Sequence, residues 1–113
     1  MNVKFGGTNG TASGTTTASY VEALVFEGNG GLTGKSIVRI TDVDGASKTM
    51  YYKIDGYLST DPKCVATALT AETDVVNATP VVDTAVDKPY AKVVVSVKNH
   101  SGACAYLIDY MVY

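Results

Sequence analysis

Few residues in this chain could do chemistry, and their spacing decides what chemistry remains. The single histidine, His100, sits in a polar stretch (NHSG, residues 99–102), with Cys104 and Asp109 following in sequence. Acid–base or triad catalysis needs a base held by an orienting group and aimed at a nucleophile. A cysteine four residues from a histidine across a turn supplies neither. His100 therefore reads as a solvated loop residue, and no catalytic residue is assigned. Cys64 and Cys104 match no metal spacing and no redox motif. Both suit small apolar positions on strands, and a single disulfide between paired strands stays open.

Asp42 and Asp44, in TDVDG, look like the start of a calcium loop, which needs further oxygen ligands and a bidentate glutamate at its end. The residues that follow, ASKTM, contain a lysine and no acid. A hairpin turn at Asp-Gly explains the aspartates more simply; a weak cation site completed by Asp55, Asp61 or a neighbouring chain is the alternative. The chain has no P-loop, no GxGxxG and no HExxH, so neither cofactor nor metal is expected. N-x-Ser/Thr sequons at Asn9, Asn77 and Asn99 matter only in a glycosylating host. Tyr51, Tyr57, Tyr110 and Tyr113 could line a carbohydrate-binding face. Tyrosine equally lines sheet faces and subunit interfaces, and with no tryptophan present the interface reading is preferred.

The charge balance narrows the partners. The net charge is −2, and the nine basic residues are spread singly, so no clustered basic face is available to replace counterions on phosphates. No nucleic acid is expected. No apolar run approaches the roughly 18 residues of a spanning helix, and the N-terminus shows no apolar core of a signal peptide. No membrane contact is expected either.

The elements that must position these residues are strands. Valine, threonine and tyrosine dominate, and such side chains pack on a pleated sheet while losing rotamers in a helix. Residues 1–19 stand apart: after Val3 and Phe5 comes GGTNGTASGTTTAS, too poor in apolar surface to offset its own ordering entropy. Alone it is a flexible arm; against a neighbouring subunit it can order as an extended strand. Residues 20–27 (YVEALVFE) form a strand-length apolar run. Residues 35–43 alternate, with Val38 and Ile40 opposite Ile37, Arg39 and Thr41. Residues 47–58 put Met50, Tyr52, Ile54 and Leu58 on one face, with Gly56 suited to a bulge or a close backbone approach.

Residues 64–73 alternate at Val65, Thr67 and Leu69 and read as a strand. Pro80 restricts residues 74–87 to an edge strand or connection. Residues 90–98 turn Ala91, Val93, Val95 and Val97 inward. Residues 103–113 are apolar on both faces, so this strand is central to a sandwich or covered by something else. The expectation is an all-β, antiparallel β-sandwich, jelly-roll or Ig-like, of about seven to eight strands over residues 20–113, preceded by the flexible arm 1–19.

The order of YYKIDGY at 51–57, a threonine-rich middle, PYAKVVVSVKN at 89–99 and YLIDYMVY at the end resembles small β-sandwich virion proteins of tailed bacteriophages, the decoration, cement and minor capsid or tail proteins. The resemblance covers roughly residues 20–113 and rests on strand patterns. It implies a virion structural protein, most naturally a capsid decoration protein: a homo-oligomer, often a trimer, assembled in the host cytoplasm on a major capsid lattice. A cell-surface or carbohydrate-binding module and an extracellular filament subunit, whose arm adds a strand to the next copy, are the alternatives. The residues expected at subunit contacts are Val3, Phe5, Tyr20, Tyr106, Tyr110, Met111 and Tyr113.

Overall fold

The structure is a computed structural model that describes residues 1–4, 8–28, 35–44, 48–77, 79–86 and 90–112, with backbone only for 84–86. Its strands are β1 (Asn2–Lys4), β2 (Thr8–Thr15), β3 (Val21–Glu27), β4 (Ser36–Asp42), β5 (Thr49–Tyr57), β6 (Thr67–Val76), β7 (Val81–Val86), β8 (Lys92–Asn99) and β9 (Ala105–Val112). They form two sheets, ordered β1-β3-β8-β5-β6 and β2-β9-β4-β7, packed face to face. No helix occurs among the described residues.

The period-two pattern fixes which side chains meet between the sheets. In β4 the buried residues are Ser36, Val38, Ile40 and Asp42, and in β8 Val93, Val95 and Val97 are fully enclosed. Met50, Tyr52 and Ile54 come from β5, Leu24 and Phe26 from β3, and Ile108 from β9. Each such apolar side chain contributes about 1.5–3 kcal/mol when buried completely. Phe26 meets Tyr110 edge-on across the layer, at 5.9 Å between centroids.

Strands β3 to β9 make up the expected sandwich, and the first two strands come from the segment expected to be an arm. Residues 2–4 pair parallel with β3, and residues 8–15 pair antiparallel with β9 of the same chain, from Thr8↔Val112 to Thr15↔Ala105. The flexible-arm expectation is corrected here. Apolar burial was the wrong criterion, because this strand is held by a main-chain ladder and by the side chains of its neighbour. Its inward positions are Gly10, Ala12 and Gly14, and opposite them stand Tyr110, Ile108 and Tyr106. A Cβ at Gly10 would lie 2.5 Å from the Tyr110 hydroxyl, and one at Gly14 would lie 2.6 Å from the Tyr106 hydroxyl. The two rings lie across the bare glycines, the aromatic cover that strengthens glycines at a sheet edge.

Other expectations shift. The hairpin at Asp44 is not found: β4 pairs with β7 and β9, whereas β5 pairs with β6 and β8, so the chain crosses between sheets at that point. Among the described strands, only β5 and β6 are both consecutive and hydrogen-bonded to each other. Leu58 is 76% exposed, because β5 ends at Tyr57 and the last inward place is taken by Gly56. The strand read over 64–73 is displaced to Thr67–Val76; Val65 lies outside it, 84% exposed, and the enclosed residue is Val75. An edge strand is exposed on much of both faces, so its alternation did not report burial. Pro80 precedes β7, an edge strand as its sequence requires.

Gly56 is a close-approach glycine: a Cβ there would lie 2.8 Å from both Cδ1 and Cε1 of Tyr90. At Gly10 the atoms met first are the hydroxyl and Cζ of the buried Tyr110, and at Gly56 they are the side of the half-buried Tyr90 ring. Gly10→Ala and Gly56→Ala should each destabilise by about 1–3 kcal/mol for the overpacked site. Urea unfolding of the two variants would check this, and a Gly10→Ala variant as stable as the parent would contradict it.

Candidate interaction surface

The residues singled out from the sequence scatter. Val3 of β1 is buried in this chain's own core, and so are Tyr106 and Tyr110, since the even positions of β9 point between the sheets. They are closed to a partner in this fold. Tyr20 lies on the outer face of the five-stranded sheet, and Met111, 46% exposed, on the outer face of the four-stranded one. Phe5 and Tyr113 fall outside the described residues.

His100, Cys104 and Asp109 are held in three separate places. His100 Nδ1 lies 2.8 Å from Asp74 Oδ1, and its ring stacks on Tyr51 at 4.3 Å. Cys104 is buried, its sulfur 3.5 Å from the Thr49 carbonyl, and burial pushes its thiol up to about 11, with Asp42 adding to the effect. Asp109 faces outward and pairs with Arg39. Both cysteines are free thiols, Cys64 half-buried. Asp42 accepts the Asp44 amide at 2.9 Å, a local side-chain turn where a hairpin was expected. Among the described residues no group of three His, Cys, Asp or Glu side chains could hold a metal ion.

The outer face of the five-stranded sheet is covered by its own long side chains. Tyr20 lies beneath Lys53 at 4.6 Å and Lys98 at 4.9 Å, and its hydroxyl donates to Glu72 at 2.5 Å. Lys92 caps Tyr57 at 4.5 Å, and Lys98 also reaches Tyr51 and Glu72. Ammonium groups over ring faces are attracted by the ring quadrupole, and their methylene stems shield apolar surface. On this sheet Val25 and Val94, which lie outside the core cluster, are only 7% and 2% exposed. Tyr51 and Tyr57 do share this face, as a carbohydrate platform would require, but their rings already carry lysines or histidine. Tyr110 turns inward.

The outer face of the four-stranded sheet is built from shorter side chains. Arg39 and Asp109 stand opposite each other on β4 and β9, with Arg39 Nη2 2.7 Å from Asp109 Oδ2. Thr11 of β2 donates to Oδ1 of the same carboxylate at 3.0 Å. These two hydrogen bonds hold the Asp109 carboxyl below the usual range. Around this line lie Ile37, Leu107, Met111 and Val82, the last 66% exposed.

The sheet edges differ most. β6 breaks register with β5 at two places and carries Glu72 and Asp74. β7 follows Pro80, breaks register with β4, and is tied inward through Asp83, which accepts from Tyr52 at 2.8 Å and Thr70 at 3.0 Å. Bulges, charges and prolines are the devices that keep edges from pairing with other chains. β2 has none of them: eight residues in unbroken register, uncharged and without proline. The Thr16 amide bonds the Cys104 carbonyl at 2.9 Å and the Val43 amide bonds the Ala105 carbonyl at 3.0 Å. Even residues of β9 thus bond to β2 and odd ones to β4. By the alternation of an antiparallel ladder, the amides and carbonyls of Asn9, Thr11, Ser13 and Thr15 point away from β9, towards the open edge. The sequence held a signal for this strand: small residues at 10, 12 and 14 match, in reverse order, the large ones at 110, 108 and 106.

No family model and no curated protein matches the chain. Solved structures with the same fold include the Yersinia pseudotuberculosis-derived mitogen, at TM-score 0.60 and 14% identity over 95% of this chain and 87% of that one. PirA superposes at TM-score 0.65 and 10% identity, over 89% of this chain and 92% of PirA. A subunit of the disulfide-linked pili of Bacillus endospore appendages gives 0.56 and 11%, over 96% and 88%. At these identities the likeness is one of fold. It supports the small β-sandwich part of the resemblance read from the sequence.

Burial and, for Tyr52, the adjacent Asp83 carboxylate hold the Tyr52 phenol well above its ordinary value, and burial raises Tyr106 as well. A phenol whose folded pKa is raised stabilises the fold fully below its unfolded pKa of about 10 and loses that contribution as pH rises towards the folded value. Urea stability should therefore fall from about pH 10 upward. Tyr52→Phe should cost about 1 kcal/mol at neutral pH for the lost hydrogen bond and flatten the alkaline decline; an unchanged decline would contradict this.

Proposed function

We propose that this protein is a non-catalytic structural subunit of an extracellular filament or appendage, working by association with copies of itself. The observation that carries the reading is the edge of β2, a regular eight-residue strand without charge, proline or bulge on a sandwich whose far edges carry such devices. A strand edge of this kind is a template for another chain. The separation of His100, Cys104 and Asp109 supports a role without catalysis. The fold shared with an endospore pilus subunit fits the same reading.

A second reading is favoured by one specific feature, the outer face of the four-stranded sheet with Val82 and Met111 exposed around Arg39 and Asp109. Such a face would rest on a different protein, as a decoration protein of a virion rests on a capsid lattice. A carbohydrate-binding module is less well supported, since the tyrosines on the other face lie under lysines.

Electron microscopy and sedimentation of the purified chain at rising concentration test the proposal. Ordered filaments or growing oligomers are expected. A chain that stays monomeric at every concentration while binding glycans would overturn it, and cosedimentation with capsids would favour the virion reading.

A further inference from the structure

We propose that the first contact between copies is made edge to edge by β2 with β2 of a second copy, antiparallel about a two-fold axis. This rests on the reading that the protein works by self-association, and it names the partner surface. The partner follows from the edges available. A heterologous contact would need β2 to pair with β6 or β7, whose edges carry register breaks, acidic residues or a preceding proline. β1 offers three residues. The one described edge as long and as unguarded as β2 is β2 itself.

The register follows from parity. Only Asn9, Thr11, Ser13 and Thr15 present their main-chain groups outward, so hydrogen-bonded pairs must join odd residues to odd residues. All four are used when Thr11 faces Ser13 of the second copy and Asn9 faces its Thr15, which places Ala12 of both copies on the axis. In that register the outer side chains are short hydroxyls and an amide, pairs that attract across strands, and no like charges meet. On the inner face Gly10 meets Gly14 of the second copy, so nothing larger than a methyl group stands between the strands. The two four-stranded sheets then run on as one. An isologous contact of this kind closes at two copies, so a filament would use a second surface to grow.

Ser13→Pro tests the contact without touching the ladder to β9, because the amide it removes points to the open edge, where proline is tolerated. Ser13→Lys places charge on the same edge. In sedimentation of the full chain, dimerisation should weaken by about tenfold or more in either variant, with circular dichroism and melting unchanged. A second measurement needs no loss of binding. When chains carrying Thr11→Cys are mixed with chains carrying Ser13→Cys, oxidation should give a 11–13 disulfide between chains, mapped by mass spectrometry. Neither chain alone should give a disulfide at the substituted position. Dimers untouched by both edge variants, a head-to-tail polymer without two-fold pairing, or a monomer throughout would overturn the proposal. Dimers that pass these tests but never form filaments would leave it standing and remove the filament reading instead.

Discussion

A strand flanked on both sides has no edge, and β9 reaches that state only because residues 8–15 bond along its whole length. The pairing depends on a size match: Gly10 and Gly14 leave room for the rings of Tyr110 and Tyr106, which would otherwise lack cover at the side of the sandwich. Much follows from this contact. Tyr110 is held where it meets Phe26 across the layer. Thr16, just past the end of β2, accepts the Cys104 amide at 2.8 Å and donates to Asn99 at 2.6 Å, joining the start of β9 to the end of β8. Thr11 completes the outward line with Asp109 and Arg39. The same pairing moves the free edge of the sheet outward from β9 to β2.

The two outer faces answer the same need, to shield a sheet from water, in different ways. On the five-stranded sheet, lysine ammonium groups lie over the rings of Tyr20, Tyr51 and Tyr57. On the four-stranded sheet, short side chains leave apolar atoms in contact with solvent around one ion pair. An exposed pair of this sort adds about 0–1 kcal/mol to stability, so its geometry bears more on what can dock there than on the fold.

Alternation along β4, β5 and β8 was legible in the sequence and located Val38, Ile40, Met50, Tyr52, Ile54, Val93, Val95 and Val97 in the core, because a strand enclosed on one face must carry its apolar residues at every second place. Pairing was not legible. Nearly every connection crosses between sheets, so strands that neighbour in sequence seldom neighbour in space, and the turn at Asp44 suggested a hairpin that the topology does not contain. Residues 8–15 misled for a related reason. Their composition speaks of disorder when each residue is weighed alone, and of a strand once they are set against Tyr106, Ile108 and Tyr110. The doubly apolar character of β9 was read correctly, while the tyrosines thought to serve a partner, Tyr106 and Tyr110, are taken up by this chain's own glycines.

Amide hydrogen exchange along β2 tests the central contact most directly, because the two sets of amides in this strand face opposite ways. In dilute solution Gly10, Ala12 and Gly14 should be protected by β9, with Thr11 and Ser13 exchanging quickly. At high concentration Thr11 and Ser13 should become protected too. Fast exchange at all five positions would mean that the strand does not hold to β9, and exchange at Thr11 and Ser13 that stays fast at every concentration would mean that its edge receives no partner.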